Sequence, residues 1–155
     1  MKRIVITVGN ELRGDDGAGP LLARLLEQNP IPGWQVIDGG SVPENYLHKI
    51  RYLKPDVVVV VDACEMNLKA GSIRLISESH IVCKFILSTH NLPLTFFISA
   101  LREVVPEVYF IGIQPAAVGF GMPISSEVCR AVQIVYQKLQ TGNLDFPYLD
   151  DQWDA

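Results

Sequence analysis

The chain reads as an α/β protein built on a mostly parallel, twisted, five-stranded sheet, and three observations predict it. Apolar runs alternate with amphipathic segments along the whole length, the order produced when parallel strands are joined by crossover helices. One run, "DVVVVVDA" at 56–63, holds five consecutive valines without polar alternation, which suits a central strand covered on both faces. With 155 residues at 48% hydrophobic content, the chain can bury one substantial core. No internal repeat or change of composition marks a second domain.

The elements follow in order. Residues 3–8 form the first strand, and the glycine-rich loop "GNELRGDDGAGP" at 9–20 follows it. A helix is expected over about 20–28, with Pro20 in its first turn and Leu21, Leu22, Leu25 and Leu26 on one face. Residues 34–38 are the second strand, ending on Asp38. Ser41 with Glu44 three residues later reads as a capping box. Tyr46, Leu47, Ile50 and Leu53 continue that helix on its inner side, leaving His48, Lys49, Arg51 and Lys54 toward solvent. The valine run is the third strand and ends at Asp62. "SIRLIS" at 72–77 is a shorter strand whose direction is open, because an antiparallel edge on a mixed sheet reads the same way. An apolar helix runs from Pro93 to about 105, and residues 107–113 are the last strand. Ser125 or Ser126 caps a final helix in which Val128, Ala131, Val132, Val135 and Leu139 recur at helical spacing, with Gly142 past its end. The domain thus spans 1–142, and the acidic remainder, 143–155, is expected to be loosely held.

Bulk properties narrow the function. Thirteen Lys and Arg against 17 Asp and Glu give a net charge of −4, which argues against nucleic acid or an anionic membrane as partner. No apolar run approaches the roughly 18 residues of a membrane span, and the one at the N-terminus is too short for a signal peptide. Cys64, Cys83 and Cys129 are odd in number and form no C-x-x-C pair, as fits reduced thiols in a cytosol. The expectation is a cytoplasmic protein without membrane insertion, a monomer by default, acting on a protein or a small molecule.

Chemistry in open α/β sheets gathers beyond the carboxyl ends of the strands. Asp15 and Asp16 follow the first strand, Asp38 ends the second, Asp62 ends the valine run, and His90 precedes a helix start. Glycines at 14, 17 and 19 let the first loop double back and aim a carboxylate over the sheet edge. The loop lacks the Lys of a P-loop and the glycine order of a dinucleotide fingerprint. One aspartate of the pair faces the site while its neighbour braces the turn through backbone N–H groups; spacing alone does not choose between them. Asp62, at the end of five valines, is costly to desolvate unless paired, hydrogen-bonded or metal-bound. Two carboxylates and the imidazole of His90 make a three-ligand set with open positions, suited to a divalent transition metal rather than a closed structural zinc site. Neither a G-x-S-x-G elbow nor an H-E-x-x-H pair is present.

Taken in order, "VGNELRGDDGAGP", "VIDGGSVPEN", the Asp closing "VVVVVDA", "STHNLPL" and "GIQPAAVGF" resemble the landmarks of the hydrogenase maturation endopeptidases, from residue 8 to 120. "IDGGS.PEN" and "THN.PL" most resemble the branch serving the hydrogenase of formate hydrogenlyase. The resemblance implies a three-layer α/β/α sandwich and an endopeptidase that trims a C-terminal extension from the nickel-loaded large-subunit precursor of a [NiFe]-hydrogenase. It also implies Asp16, Asp62 and His90 as both catalytic residues and metal ligands, which settles the aspartate pair in favour of the second; many members carry Glu where Asp16 stands. The metal is nickel supplied by the substrate, with cadmium or zinc as surrogates. Either the metal polarises the attacking water, or a nearby carboxylate does so while the metal positions the chain. Two other readings compete: a nickel-binding maturation chaperone that cleaves nothing, and a receiver-like phospho-acceptor domain. Against the second stands Gln114, where such domains place a Lys at the end of the last strand.

Overall fold

The computed structural model describes residues 1–77, 87–88 and 94–149. Four strands run parallel: β1 (Arg3–Thr7), β2 (Trp34–Asp38), β3 (Val57–Glu65) and β6 (Glu107–Ile113). β4 (Ile73–Leu75) lies antiparallel on β6, giving the sheet order β2-β1-β3-β6-β4. The open direction of the 72–77 strand is thereby settled as an antiparallel edge. A two-residue strand, β5 (Leu87–Ser88), pairs antiparallel with the end of β3.

The sheet is a middle layer because its side chains alternate into two cores. Ile4, Ile6, Val8, Val58 and Val60 pack with Ile50 of α2 (Leu47–Leu53) and with Phe97, Ile98 and Leu101 of α3 (Leu94–Val104). Val5, Val57, Val59 and Val61 pack on the other side with Leu22 and Leu26 of α1 (Ala18–Gln28) and with Val128, Val132 and Val135 of α4 (Ser126–Thr141). Every residue of β3 except Glu65 is buried, as an unalternating valine run requires of a strand covered on both sides.

Most element ends follow local chemistry. Ser125 caps α4, its Oγ accepting from Val128 N–H at 3.3 Å, and Gly142 closes the helix at φ 76°, the left-handed conformation that glycine adopts without cost. His48, Lys49, Arg51 and Lys54 are exposed, as read from the sequence.

Three expectations are corrected. The Ser41/Glu44 capping box does not form: Pro43–Tyr46 is a 3₁₀ turn entered from Val42 without a side-chain cap, and the α-helix begins at Leu47. Pro43, which has no N–H to donate, occupies the first position of that turn. β3 continues through Glu65 instead of stopping at Asp62, because β6 pairs with it as far as Ala63 and β5 takes up Cys64 and Glu65. Within the expected loose tail, residues 144–149 are docked. Leu75 N–H donates to Pro147 O and Leu149 N–H to Leu75 O, at 2.9 and 2.8 Å, and Phe146 and Leu149 are buried. Residues 150–155 lie outside the described residues.

Candidate active site

The connections fix where a site can form. From β1 the chain moves out to β2, then crosses back over β1 to lay down β3 on its other side. Open α/β sheets bind ligands at such a reversal, in the crevice past the carboxyl ends of the two diverging strands. Asp16 follows β1 into that crevice, and Asp62 is the first residue of β3 beyond its pairing with β1, which ends at Thr7↔Val61.

Short contacts bring the two together. Val8 N–H donates to Val61 O at 2.9 Å, tying the exit of β1 to the residue before Asp62. The next residue, Gly9, sits at φ 147° with Asp16 O so close that an added Cβ would fall 2.1 Å from it. Only glycine permits both the dihedral and the approach. Asn10 N–H then donates to Asp16 Oδ2 at 3.0 Å. Asp16 and Asp62 are both 0% exposed. Burial, and after it the charges of Asp62 and then Asp16, push the Cys64 thiol well above its ordinary value, so both carboxylates act on one buried sulfur. Cys64 is accordingly a neutral core residue, packed with Met66 and Ile76. Cys129 is a half-buried free thiol, and Cys83 lies outside the described residues.

Asp15 does the bracing, and across a longer span than a turn. Its Oδ2 accepts from Ala116 N–H, Ala117 N–H and Ser125 Oγ–H at 2.7, 3.3 and 2.9 Å, and its Oδ1 from Ser125 N–H at 2.7 Å. Asp15 N–H in turn donates to Ala117 O at 3.1 Å. One carboxylate therefore bonds the first loop to the loop after β6 and to the cap of α4. The sequence placed a brace here but could not show that its partners lie 101 to 110 positions away.

Asp38 ends β2 in an exposed position and accepts from Gly40 N–H at 3.2 Å, a local turn contact. His90 lies outside the described residues. Among the described residues no group of three or more His, Cys, Asp or Glu is placed to hold a metal ion. Gln114, singled out from sequence only as a residue that is not Lys, is a buried bonding hub: its Oε1 accepts from Met66 and Leu68 N–H, and its Nε2 donates to Glu65 Oε2 and Pro115 O.

Fold and site together define an open α/β protein with two buried aspartates, Asp16 and Asp62, at its topological reversal. Comparison narrows this class. The HycI family profile, described as hydrogenase maturation protease, matches residues 20–141. The hydrogenase 3 maturation protease of Escherichia coli (strain K12) is 46% identical over 151 residues, 96% of this chain and 97% of that protein. The solution structure of an endopeptidase HycI from Escherichia coli superposes with a TM-score of 0.90 at 45% identity, covering 97% of each chain. The crystal structure of a [NiFe] hydrogenase maturation protease HycI from Thermococcus kodakarensis KOD1 gives a TM-score of 0.80 at 28% identity, covering 90% of each. The chain belongs to the HycI family of hydrogenase maturation proteases, enzymes of the endopeptidase class.

Proposed function

We propose that this endopeptidase removes the C-terminal extension of a [NiFe]-hydrogenase large-subunit precursor, that of hydrogenase 3 or its counterpart, and recognises the precursor's nickel through Asp16, Asp62 and His90. The observation that carries the reading is the meeting of two fully buried carboxylates at the reversal between β1 and β3. Like charges held out of water favour a cation beside them. Two carboxylate oxygens with one imidazole nitrogen form a donor set suited to a first-row divalent ion.

The third ligand, His90, rests on the resemblance of "STHNLPL" to the family's landmarks, and the residue lies outside the described residues.

Nickel here is part of the substrate, and its role is to complete docking. The chain's own groups hold and orient the precursor, and a carboxylate at this edge can take a proton from an attacking water. A polypeptide also suits the rim, where Leu12 and Phe120 are exposed on loops joined by a 3.0 Å bond from Gly121 N–H to Leu12 O. The test is processing of nickel-loaded precursor, followed by gel mobility, with Asp16→Asn, Asp62→Asn and His90→Ala. Each folded variant is expected to lose processing; full activity in all three overturns the assignment, and unchanged precursor length with the unsubstituted protein would instead support a chaperone that only binds nickel.

A further inference from the structure

We propose that Gln114 is a positioning residue for this site: its amide fixes the end of β3 beyond Asp62, and with it the point where β5 attaches. The inference rests on the nickel-recognition reading of Asp16, Asp62 and His90.

Gln114 is 3% exposed and stands one residue past β6. Its side-chain oxygen accepts from Met66 N–H at 2.7 Å and Leu68 N–H at 3.2 Å. Its side-chain nitrogen donates to Glu65 Oε2 at 2.8 Å and Pro115 O at 3.1 Å. Two acceptor sites and two N–H groups are the full capacity of an amide, and all four are used. The main chain adds two bonds, from Gln114 N–H to Ser72 O at 2.9 Å and from Gly71 N–H to Gln114 O at 2.8 Å.

Other residue types fail in identifiable ways. A leucine or methionine would strand the Met66 and Leu68 N–H groups, while a glutamate would set a second carboxylate against that of Glu65 and the carbonyl of Pro115. The residues held adjoin those that receive β5: Gln114 bonds the Glu65 side chain and the N–H groups of Met66 and Leu68, and β5 pairs with Cys64 and Glu65, just past Asp62. Glu65 Oε2 also accepts from Asn67 N–H at 2.9 Å, so Gln114 and Glu65 lock the turn from both sides. Through this lock the amide holds the backbone at the end of β3, the strand that carries Asp62, against β6. It touches neither carboxylate of the site; its effect is on geometry, as outer partners of a metal site act.

The test compares the unsubstituted full-length chain with Gln114→Glu, the double variant Gln114→Glu/Glu65→Gln, and Asp62→Asn. Nickel(II) affinity is read by titration calorimetry, and cleavage of nickel-loaded precursor is read beside it. Gln114→Glu is expected to stay folded and to weaken nickel binding by about tenfold, within the range that outer-partner losses produce. The double variant, which restores a donor and acceptor between positions 65 and 114, is expected to recover most of that loss. A lower melting temperature in Gln114→Glu with unchanged nickel affinity, or no recovery in the double variant, overturns the positioning role. Should Gln114→Glu not fold, Glu65→Ala, at an exposed position, removes the same acceptor; unchanged nickel affinity there is equally decisive. If Asp62→Asn binds nickel and cleaves as the unsubstituted chain does, the nickel reading falls and this inference with it; if Asp62→Asn fails while Gln114→Glu matches the parent, only the inference falls.

Discussion

Of the two adjacent aspartates, Asp15 is structural, and the proposed function gives Asp16 the chemistry. Asp15 accepts four hydrogen bonds from residues of two other segments, and bonds to a charged group are each worth about 1.5–3 kcal/mol. Asp15→Asn turns one oxygen into an NH₂ that faces N–H donors, so a stability loss of roughly 2–4 kcal/mol is expected in urea unfolding. Asp16→Asn keeps an oxygen for Asn10 N–H and is expected to cost less than half as much while losing cleavage. That one of the pair braces the fold was legible in the sequence. Which one did so came from resemblance, because the partners of Asp15 stand a hundred positions away and spacing carries no trace of them. Cys64 offers a second residue-level check. Burial first, then Asp62 and Asp16, raise its thiol, so the native protein at pH 8 is expected to leave Cys64 unalkylated by iodoacetamide while Cys129 reacts, as peptide mass mapping would show. Stability held by the neutral thiol is complete below the unfolded value of roughly 8.5 and is lost as pH rises toward the folded one.

Elements were legible wherever one physical pattern dominated. The valine run, a serine cap at 125 or 126 and the Gly142 stop each declared themselves, and the structure places the cap at Ser125. The Ser41 cap misled because Pro43 two residues on favours a tight 3₁₀ entry. The tail misled because the acidic residues around it drew attention from its apolar ones: Phe146 and Leu149 are both buried beside β4. Leu149→Ala is therefore expected to destabilise the protein by about 2–4 kcal/mol, a core-like cost, measured by urea denaturation. The exposed Lys138–Asp145 pair at 2.6 Å should contribute far less, and Asp145→Asn is expected to leave the urea midpoint nearly unchanged.

At the scale of the molecule, the two cores are not independent. Consecutive valines of β3 enter opposite layers, so neither helical layer can melt without stripping one side of the same strand. Thermal unfolding is expected as a single transition, with near-UV and far-UV dichroism coinciding; separated midpoints would show two units instead. The α/β class was legible because it needs only the alternation of segments. Strand order was not, since β4 beside β6 and the reversal between β1 and β3 depend on which faces find each other in three dimensions.

The bonds from Asp15 to the segments at 116–117 and 125 also bear on when the enzyme becomes competent during its own synthesis. The loop that carries Asp16 is made early, but Ala116 and Ser125, which Asp15 binds, follow it by 101 and 110 positions. A nascent chain that ends before them lacks these bonds, so the edge carrying Asp16 gains its long-range brace only once that later segment has been made.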